Sequence, residues 1–218
     1  MNPNLKAKLD SKYYSRVRNW PSLFDIKTGA KILDIGCGRG VLGGYLRDKY
    51  AAKVTGIDII SENITVASHV LHQAILGDIE TMDISTLERN FDYIIFSDSL
   101  EHLLEPQDVL ETIKPLLAPG GNVLIAIPNI RNFRVTVPLL FSDQWEYQDE
   151  GLLDRTHLRF FTQSSICKLL DRCGYQVEAL YLDLPLSSKV GVLNIFTFGL
   201  FKRILTAHYF VKTSLKRY

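Results

Sequence analysis

The chain has 218 residues, of which 46% are hydrophobic and 22% charged, as in an ordinary folded globular domain. Its 25 Lys and Arg residues oppose 24 Asp and Glu residues, and a net charge of +1 provides no general attraction to nucleic acid. Three cysteines without a Cys-x-x-Cys pair favour neither a disulfide framework nor a metal site, and predict a reducing, cytoplasmic setting.

The predicted elements alternate between strand and helix from residue 31 onward. Short apolar runs closed by turn residues indicate buried strands, and such alternation is typical of a mainly parallel α/β sheet covered on both faces. In chain order, strands are predicted at Lys31–Ile35, Lys53–Asp58, Gln73–Gly77, Phe91–Phe96 and Asn122–Ile127, and helices at Val41–Tyr50, Ser61–His69 and Pro106–Leu117.

Residues 1–27 and 128–160 depart from this alternation within what we predict to be one domain over residues 1–218. The first segment is polar and aromatic, with short helices predicted near Leu5–Tyr14 and Trp20–Ile26, and it could fold over the site as a helical lid. The second is an aromatic and charged insert over the site. A helix at Gln163–Cys173 and strands at Tyr175–Leu184 and His208–Leu215 are predicted to follow, the last strand pair possibly antiparallel.

The strongest functional signal is the run LDIGCGRG at Leu33–Gly40, where a strand ends in an acidic residue and glycines recur at alternate positions. Glycine permits a sharp turn and a close approach of the backbone to a ligand. Ligands of open parallel sheets bind at this place, outside the carboxyl ends of the strands. The run therefore predicts a binding site at the junction of the first strand and its helix.

Acidic residues stand at or just after the ends of three successive strands, at Asp34, Asp58 and Asp78. A carboxylate there can accept hydrogen bonds from ribose hydroxyls or from an amine. The set suits a cofactor with an amine, a ribose and an adenine, and suits a pyrophosphate poorly because carboxylates repel phosphate. The competing interpretation is a dinucleotide site, because Gly38–Gly43 fits the pattern G-x-G-x-x-G. In a dinucleotide site, however, the first glycine should directly follow the strand. That glycine is Gly36 here, and the pattern fails when it is counted from Gly36.

The motifs LDIGCGRG, GIDI, GDIE and LAPGG-NVLIAIPN, in this order over Lys31–Asn129, resemble those of class I S-adenosylmethionine-dependent methyltransferases. The resemblance implies a Rossmann-like α/β fold with a seven-stranded, mainly parallel sheet and an antiparallel last strand, and S-adenosylmethionine as cofactor. It implies that Gly36, Gly38, Gly40 and Asp34 contact the methionine part of the cofactor, Asp58 its ribose, and Ile59, Asp78 and Ile79 its adenine, with Ser97 lining the pocket.

Two further motifs, SLEHL at Ser99–Leu103 and LDRTHLRFFT at Leu153–Thr162, resemble a bacterial branch that occurs with surface-polysaccharide and glycan biosynthesis. That branch implies O-methylation of a sugar or glycan precursor. A small aromatic or quinone-like acceptor, and a non-catalytic cofactor-binding partner subunit, are the alternatives. Histidine is the usual base for a hydroxyl nucleophile, and we take His157 as the first candidate and His102 as the second.

Other candidates concern the substrate and a membrane. Arg155 and Arg159 could hold an anionic group of the substrate, and Trp145 could stack on a ring, unless these residues only stabilise their loop. After Asp183 the chain has no acidic residue, and basic residues alternate with aromatic ones. This C-terminal segment is either a buried helix and strand or a face resting on an anionic membrane. We expect a small-molecule or glycan substrate, no nucleic acid, and a cytoplasmic protein that could contact the inner membrane face.

Overall fold

The computed structural model describes residues 19–184 and 198–216, which contain a seven-stranded sheet. The helix predicted near Leu5–Tyr14, most of the lid, and residues 185–197 of the C-terminal segment lie outside the described residues. The strands, in chain order, are β1 (Lys31–Ile35), β2 (Lys53–Asp58), β3 (Gln73–Leu76), β4 (Phe91–Ser97), β5 (Leu117–Pro128), β6 (Tyr175–Leu182) and β7 (His208–Leu215).

The strand order is β3-β2-β1-β4-β5-β7-β6. Strands β1 to β5 pair in parallel, and β7 runs antiparallel to both of its neighbours, β5 and β6. This is the Rossmann-like methyltransferase arrangement that the resemblance implied, and the predicted fold class is confirmed. Because β7 is reversed, its first residue, His208, lies beside Pro128 at the carboxyl end of β5.

Helices cover both faces of this sheet. Successive strand residues alternate between the two faces, so that Leu33 belongs to one apolar core and Ile32 to the other. The core around Ile32 contains residues of α1 and α2, and the core around Leu33 contains residues of α3 and α5. The described α-helices are α1 (Val41–Tyr50), α2 (Ser61–Ala67), α3 (Pro106–Thr112), α4 (Phe133–Ser142), α5 (Gln163–Arg172) and α6 (Lys202–Leu205).

Two predicted helices are shorter than expected and contain or become 3₁₀ turns. The pattern over Pro106–Leu117 predicted a single helix, whereas α3 ends at Thr112 and a 3₁₀ turn follows at Lys114–Leu116. Pro115 explains the break, because proline has no N–H to donate and disfavours the α conformation of the residue before it. At the N-terminal end, the predicted Trp20–Ile26 helix is reduced to a 3₁₀ turn at Trp20–Leu23.

The insert over residues 128–160 contains one helix, α4, followed by an exposed loop. The Asn132 side chain caps α4 by accepting a hydrogen bond from the backbone N–H of Arg134. None of the described helices, α4 included, has the length and apolar character that a membrane span requires. The insert begins at the carboxyl end of β5, and Leu158 and Arg159 near its end donate backbone hydrogen bonds to Glu101, shortly after β4.

Candidate active site

A cavity of about 430 Å³ opens at the carboxyl ends of β1, β2 and β4. Its volume falls in the range of small-molecule and cofactor sites. The parallel register places Asp34 of β1 next to Gly56 and Ile95 on its two neighbours, so the three strands end together. Nine of the residues singled out from the sequence line this cavity: Asp34, Gly36, Gly38, Asp58, Ile59, Asp78, Ile79, Ser97 and His102.

The turn after β1 requires glycine for two separate reasons at Gly36. Its φ of +76° lies in the left-handed region, which side chains disfavour. A Cβ atom at this position would also lie 2.6 Å from Cβ of Ser99, closer than such atoms approach. Gly40, also at positive φ, precedes α1 and faces Leu71 and Ala67; it lies outside the lining of the cavity.

Asp34 is the most unusual group in the wall. It is 1% exposed, and neither carboxylate oxygen accepts a hydrogen bond from the described part of the chain. Burial, together with the nearby charge of Asp58, raises the pKa of Asp34 to about 7. A buried carboxylate without a partner is costly, and a cationic ligand group placed beside it would remove that cost.

Asp58 differs from Asp34 because its carboxylate is already hydrogen-bonded. It accepts from the backbone N–H of Gly38 at 2.8 Å and of Ile60 at 2.9 Å, and from the Asn63 amide at 3.3 Å. Asp58 therefore holds the glycine turn against the end of β2. A carboxylate oxygen can accept more than one hydrogen bond, so a ribose at this position can still be bound.

The far end of the cavity has an apolar and a polar part. Ile59 lines it with 69% of its surface exposed, and Ile79 lines it from a buried position. An exposed isoleucine in a cavity wall offers a flat ligand an apolar contact. Asp78 is exposed and accepts a hydrogen bond from the Glu80 N–H at 2.9 Å.

Ser97 is held by a residue that the sequence interpretation assigned only to the lid. The indole Nε1–H of Trp20 donates to the Ser97 hydroxyl at 3.1 Å, and the Trp20 ring stacks on Phe210 with centroids 5.5 Å apart. The N-terminal segment is therefore anchored to β4 and β7 at this point.

The two candidate bases lie side by side, but only His102 lines the cavity. Its Nδ1 is 3.0 Å from the carbonyl oxygen of Thr156. Because a carbonyl can only accept, Nδ1 carries the proton, and in the neutral ring the basic lone pair is on Nε2. His157 is 6% exposed and lies behind His102, with ring centroids 4.8 Å apart.

Backbone hydrogen bonds bring the two histidine motifs together. The N–H groups of Leu158 and Arg159 both donate to the carbonyl oxygen of Glu101, at 2.9 and 3.0 Å. The buried Glu101 carboxylate lies 3.8 Å from Nε2 of His157, whose Nδ1 is 3.3 Å from the Leu152 carbonyl oxygen. The His157 ring thus lies between the Leu152 carbonyl and the Glu101 carboxylate.

The same cluster could hold a cation, which the spacing of the cysteines did not suggest. Ligand atoms of Glu101, His102 and His157 lie within 4.8 Å of one another. One carboxylate and two imidazoles form a donor set that suits Zn²⁺ and other transition metals. His102 therefore has two possible functions, as a base or as a metal ligand.

The predicted substrate-binding residues lie outside the cavity lining. Arg155 pairs with Asp149 at 2.9 Å, and Arg159 pairs with Glu105 at 3.5 Å and donates to the Leu104 carbonyl. Trp145 packs edge-on against Tyr147 and Phe160. These contacts match the alternative interpretation, in which the residues stabilise their own loop.

Several lining residues were not predicted as part of the site. Ser99 donates to the Ile35 carbonyl at 2.7 Å, and Asp154 accepts from the backbone N–H and the hydroxyl of Thr156. Both residues belong to motifs quoted from the sequence, SLEHL and LDRTHLRFFT, which could have indicated them. Cys37 also lines the cavity, and burial raises the pKa of its thiol, which keeps it unreactive.

A family model described as "Methyltransferase domain" matches residues 9–180. The chain is 30% identical over 172 residues to a ubiquinone biosynthesis O-methyltransferase of Aeromonas salmonicida. The aligned region covers 75% of this chain and 71% of that protein. A protein of the same name from Coxiella burnetii is 30% identical over 176 residues, covering 75% of this chain and 74% of its own length.

A solved structure shows the same fold. The structure of a SAM-dependent methyltransferase from Aquifex aeolicus superposes with a TM-score of 0.65 at 17% identity, and the match covers 99% of this chain and all of that one. At this identity the likeness concerns the fold.

Proposed function

The chain belongs to the methyltransferase-domain family and is an S-adenosylmethionine-dependent methyltransferase, and from this premise we propose that it methylates a hydroxyl group of a small aromatic, quinone-like acceptor. Family membership excludes the dinucleotide interpretation. It also makes the chain an enzyme rather than a non-catalytic partner subunit. The acceptor and the roles of individual residues are what the proposal adds.

The structural feature that best supports S-adenosylmethionine as the ligand of this cavity is Asp34. The buried Asp34 carboxylate, which accepts no hydrogen bond from the described residues, faces a cavity and calls for a cationic partner. We assign Asp34 to the ammonium group, Asp58 to the ribose, and Ile59, Asp78 and Ile79 to the adenine. When bound, this cofactor supplies an electrophilic methyl group on its sulfonium.

One observation carries the catalytic part of the proposal, namely the position and tautomer of His102. It lines the cavity, and the hydrogen bond from Nδ1 to Thr156 leaves Nε2 as the basic nitrogen. Nε2 would take the proton from the acceptor hydroxyl as the oxygen attacks the methyl group. This reverses the order of the two candidates taken from the sequence.

His157 is then a positioning residue, because it is buried behind His102 and outside the lining. Its ring packs edge-on against that of His102 and lies between the Leu152 carbonyl and the Glu101 carboxylate. Such support restricts the orientation of the His102 imidazole, and correct orientation is a large part of general-base catalysis.

The acceptor class is supported by the relatives. Two of them, each matched over three quarters of the chain, are named ubiquinone biosynthesis O-methyltransferases. This favours a phenolic, quinone-like acceptor over the sugar or glycan precursor implied by the motif resemblance. A phenol also ionises far more readily than a sugar hydroxyl, which suits a single imidazole base.

The test is a methyl-transfer assay with catechols and hydroquinones against nucleotide sugars. We expect methylation of the phenols, and a fall in kcat of about 10²–10⁴-fold in His102→Ala, with cofactor affinity by calorimetry unchanged. His69→Ala, which removes an exposed histidine outside the cavity lining, is the matched control. Preferential methylation of nucleotide sugars would overturn the acceptor class.

A chelator separates the two possible functions of His102. If it is a base, activity survives EDTA, and the pH profile of kcat loses its lower limb in the His102→Ala variant. Loss of activity with EDTA, and its return with a divalent cation, would instead assign Glu101, His102 and His157 to a metal site.

A further inference from the structure

Two carboxylates line the cavity on the side of His102, apart from those assigned to the cofactor. Asp98 directly follows β4, and Asp154 reaches the cavity from the insert. Thr156 links Asp154 to His102: its backbone N–H and hydroxyl donate to one oxygen of Asp154, at 2.8 and 2.6 Å, and its carbonyl accepts from Nδ1 of His102 at 3.0 Å. We call Asp98, His102, Asp154 and Thr156 the acceptor subsite, because a hydroxyl that gives its proton to His102 must enter here.

Both carboxylates of the acceptor subsite are buried and have partners that favour their charged form. Asp98 has 4% of its side chain exposed, and Asp154 is 5% exposed. Hydrogen bonds donated to a carboxylate favour ionisation, and Asp154 receives two of them from Thr156. Asp98 lies 3.1 Å from Nε2 of His208. Since water screens buried charges weakly, the field of these two groups acts on whatever enters the subsite.

His208 does not cancel the charge on this side of the cavity. Its Nε2 faces Asp98, and its Nδ1 lies 3.7 Å from a carboxylate oxygen of Asp183. One imidazole carries at most one positive charge against these two carboxylates, so the group stays negative in either protonation state of the ring. The His208 side chain is also 31% exposed, and water therefore screens it more than it screens Asp98.

The backbone holds Asp98 at its place in the cavity wall. Its φ of +52° lies in the left-handed region, which residues other than glycine rarely adopt and which Asp and Asn tolerate best. Its N–H donates to the carbonyl oxygen of Ala126 on β5 at 3.1 Å. Non-glycine residues in this region persist where the surrounding structure fixes them, which is common at functional sites.

The acceptor subsite has no basic side chain within the described part of the chain to attract an anion. Among the described residues that line the cavity, Arg39 is the one Lys or Arg, and it belongs to the glycine turn at the cofactor end. Arg155 and Arg159 lie outside the lining and pair with acidic residues. Sites that select a carboxylate or a phosphate typically use arginine for it. An anionic acceptor would therefore meet repulsion here without an offsetting contact.

We propose that Asp98 and Asp154 determine acceptor specificity by charge, and that they exclude anionic acceptors in favour of uncharged and cationic ones. A repulsive group placed against the wrong ligand is an ordinary source of specificity. The inference rests on the proposed function, because the subsite is defined by the acceptor hydroxyl that His102 would deprotonate. It adds which molecules of the proposed class the enzyme accepts and which two side chains make the choice.

The experiment compares three catechols that differ in the charge of one substituent: 3,4-dihydroxyphenylacetamide, 3,4-dihydroxyphenylacetate and dopamine. For the wild type, kcat/KM for the neutral amide should exceed that for the anion by roughly tenfold or more, and dopamine should be at least as good as the amide. Asp98→Asn and Asp154→Asn keep the shape of the side chain, and each should narrow the amide-to-acetate ratio by roughly three- to tenfold. Asp48→Asn, the same change at an exposed position of α1, is the matched control and should leave the ratio unchanged.

The ratio of kcat/KM values isolates the charge of the acceptor, since a general loss of folded enzyme or of base strength lowers all three values together. Calorimetric binding of S-adenosylmethionine by each variant shows that it is folded. Equal efficiency of the wild type with all three catechols overturns this inference alone. Asn variants that lose activity on all three by the same factor would show that the two carboxylates only support the fold, which also overturns it. If the wild type methylates none of the three, the proposed function is overturned and this inference falls with it.

Discussion

Replacing Asp34 with Asn should stabilise the protein in the absence of cofactor while abolishing cofactor binding. The buried carboxylate accepts no hydrogen bond from the described residues, and its ionisation in the folded state is opposed by burial and by Asp58. Asn has nearly the same shape and cannot ionise. The substitution therefore removes the cost of a buried charge, and with it the group that would attract the ammonium of the cofactor.

The magnitude follows from the pKa of this one group. Folding raises it from 3.8 to about 7. Between these values the folded protein keeps a proton that the unfolded chain has released, so stability falls as pH rises and the full cost is present above pH 7. At 1.36 kcal/mol per unit, the cost at pH 8 is about 4 kcal/mol.

The assay is urea unfolding without cofactor at pH 5 and pH 8. Asp34→Asn should be more stable than the wild type at pH 8 by up to about 4 kcal/mol, and this advantage should shrink to about 1–2 kcal/mol at pH 5. Asp48→Asn, the same chemical change at an exposed position of α1, is the matched control. An Asp34→Asn variant that differs from the wild type by the same amount at both pH values would refute the reasoning.

Three further predictions concern the same end of the sheet. The affinity for S-adenosylmethionine should fall by up to tenfold per pH unit below about pH 7, because Asp34 must lose its proton to receive a cation; calorimetry at pH 6 and pH 8 measures this, and a pH-independent affinity would contradict it. Gly36→Ala should lower the free energy of unfolding by about 1–3 kcal/mol more than Gly29→Ala: both positions have positive φ, but only at Gly36 would a Cβ meet another side chain. Asp58→Ala should weaken cofactor binding by about 1–3 kcal/mol through lost hydrogen bonds, and unchanged affinity would exclude its ribose role.

The strands and the glycine turn could be predicted because their causes are local. β1, β2, β7 and α1 have the predicted bounds. For β1 and β2 the signal is a short apolar run that ends at glycine or aspartate, which is a property of neighbouring residues. Parallel strands of such a sheet bind ligands at their carboxyl ends, so Asp34 and Asp58 could be placed at one site before their distance was known.

Local sequence pattern could not predict which of the two histidines, His102 or His157, lines the cavity. His102 and Thr156 are 54 residues apart, and their contact decides both the tautomer of His102 and which histidine faces the cavity. The insert between them determines how the two segments meet, and insert conformation depends on tertiary contacts rather than on local pattern. Arg155 and Arg159, in contrast, pair with Asp149 and Glu105, which fits the loop-stabilising alternative that the sequence already offered.

The sequence by itself determined the sheet, the glycine turn and the acidic strand ends, because backbone conformation there follows from neighbouring residues. It also showed that the last part of the chain is basic and aromatic, but not which of these residues would be covered. Only the tertiary structure decided that His157 is buried behind His102 and that Leu140, Phe141 and Phe198 stay exposed. The burial of a side chain depends on which other segments pack against it, and segments distant in sequence come together only when the whole chain has folded.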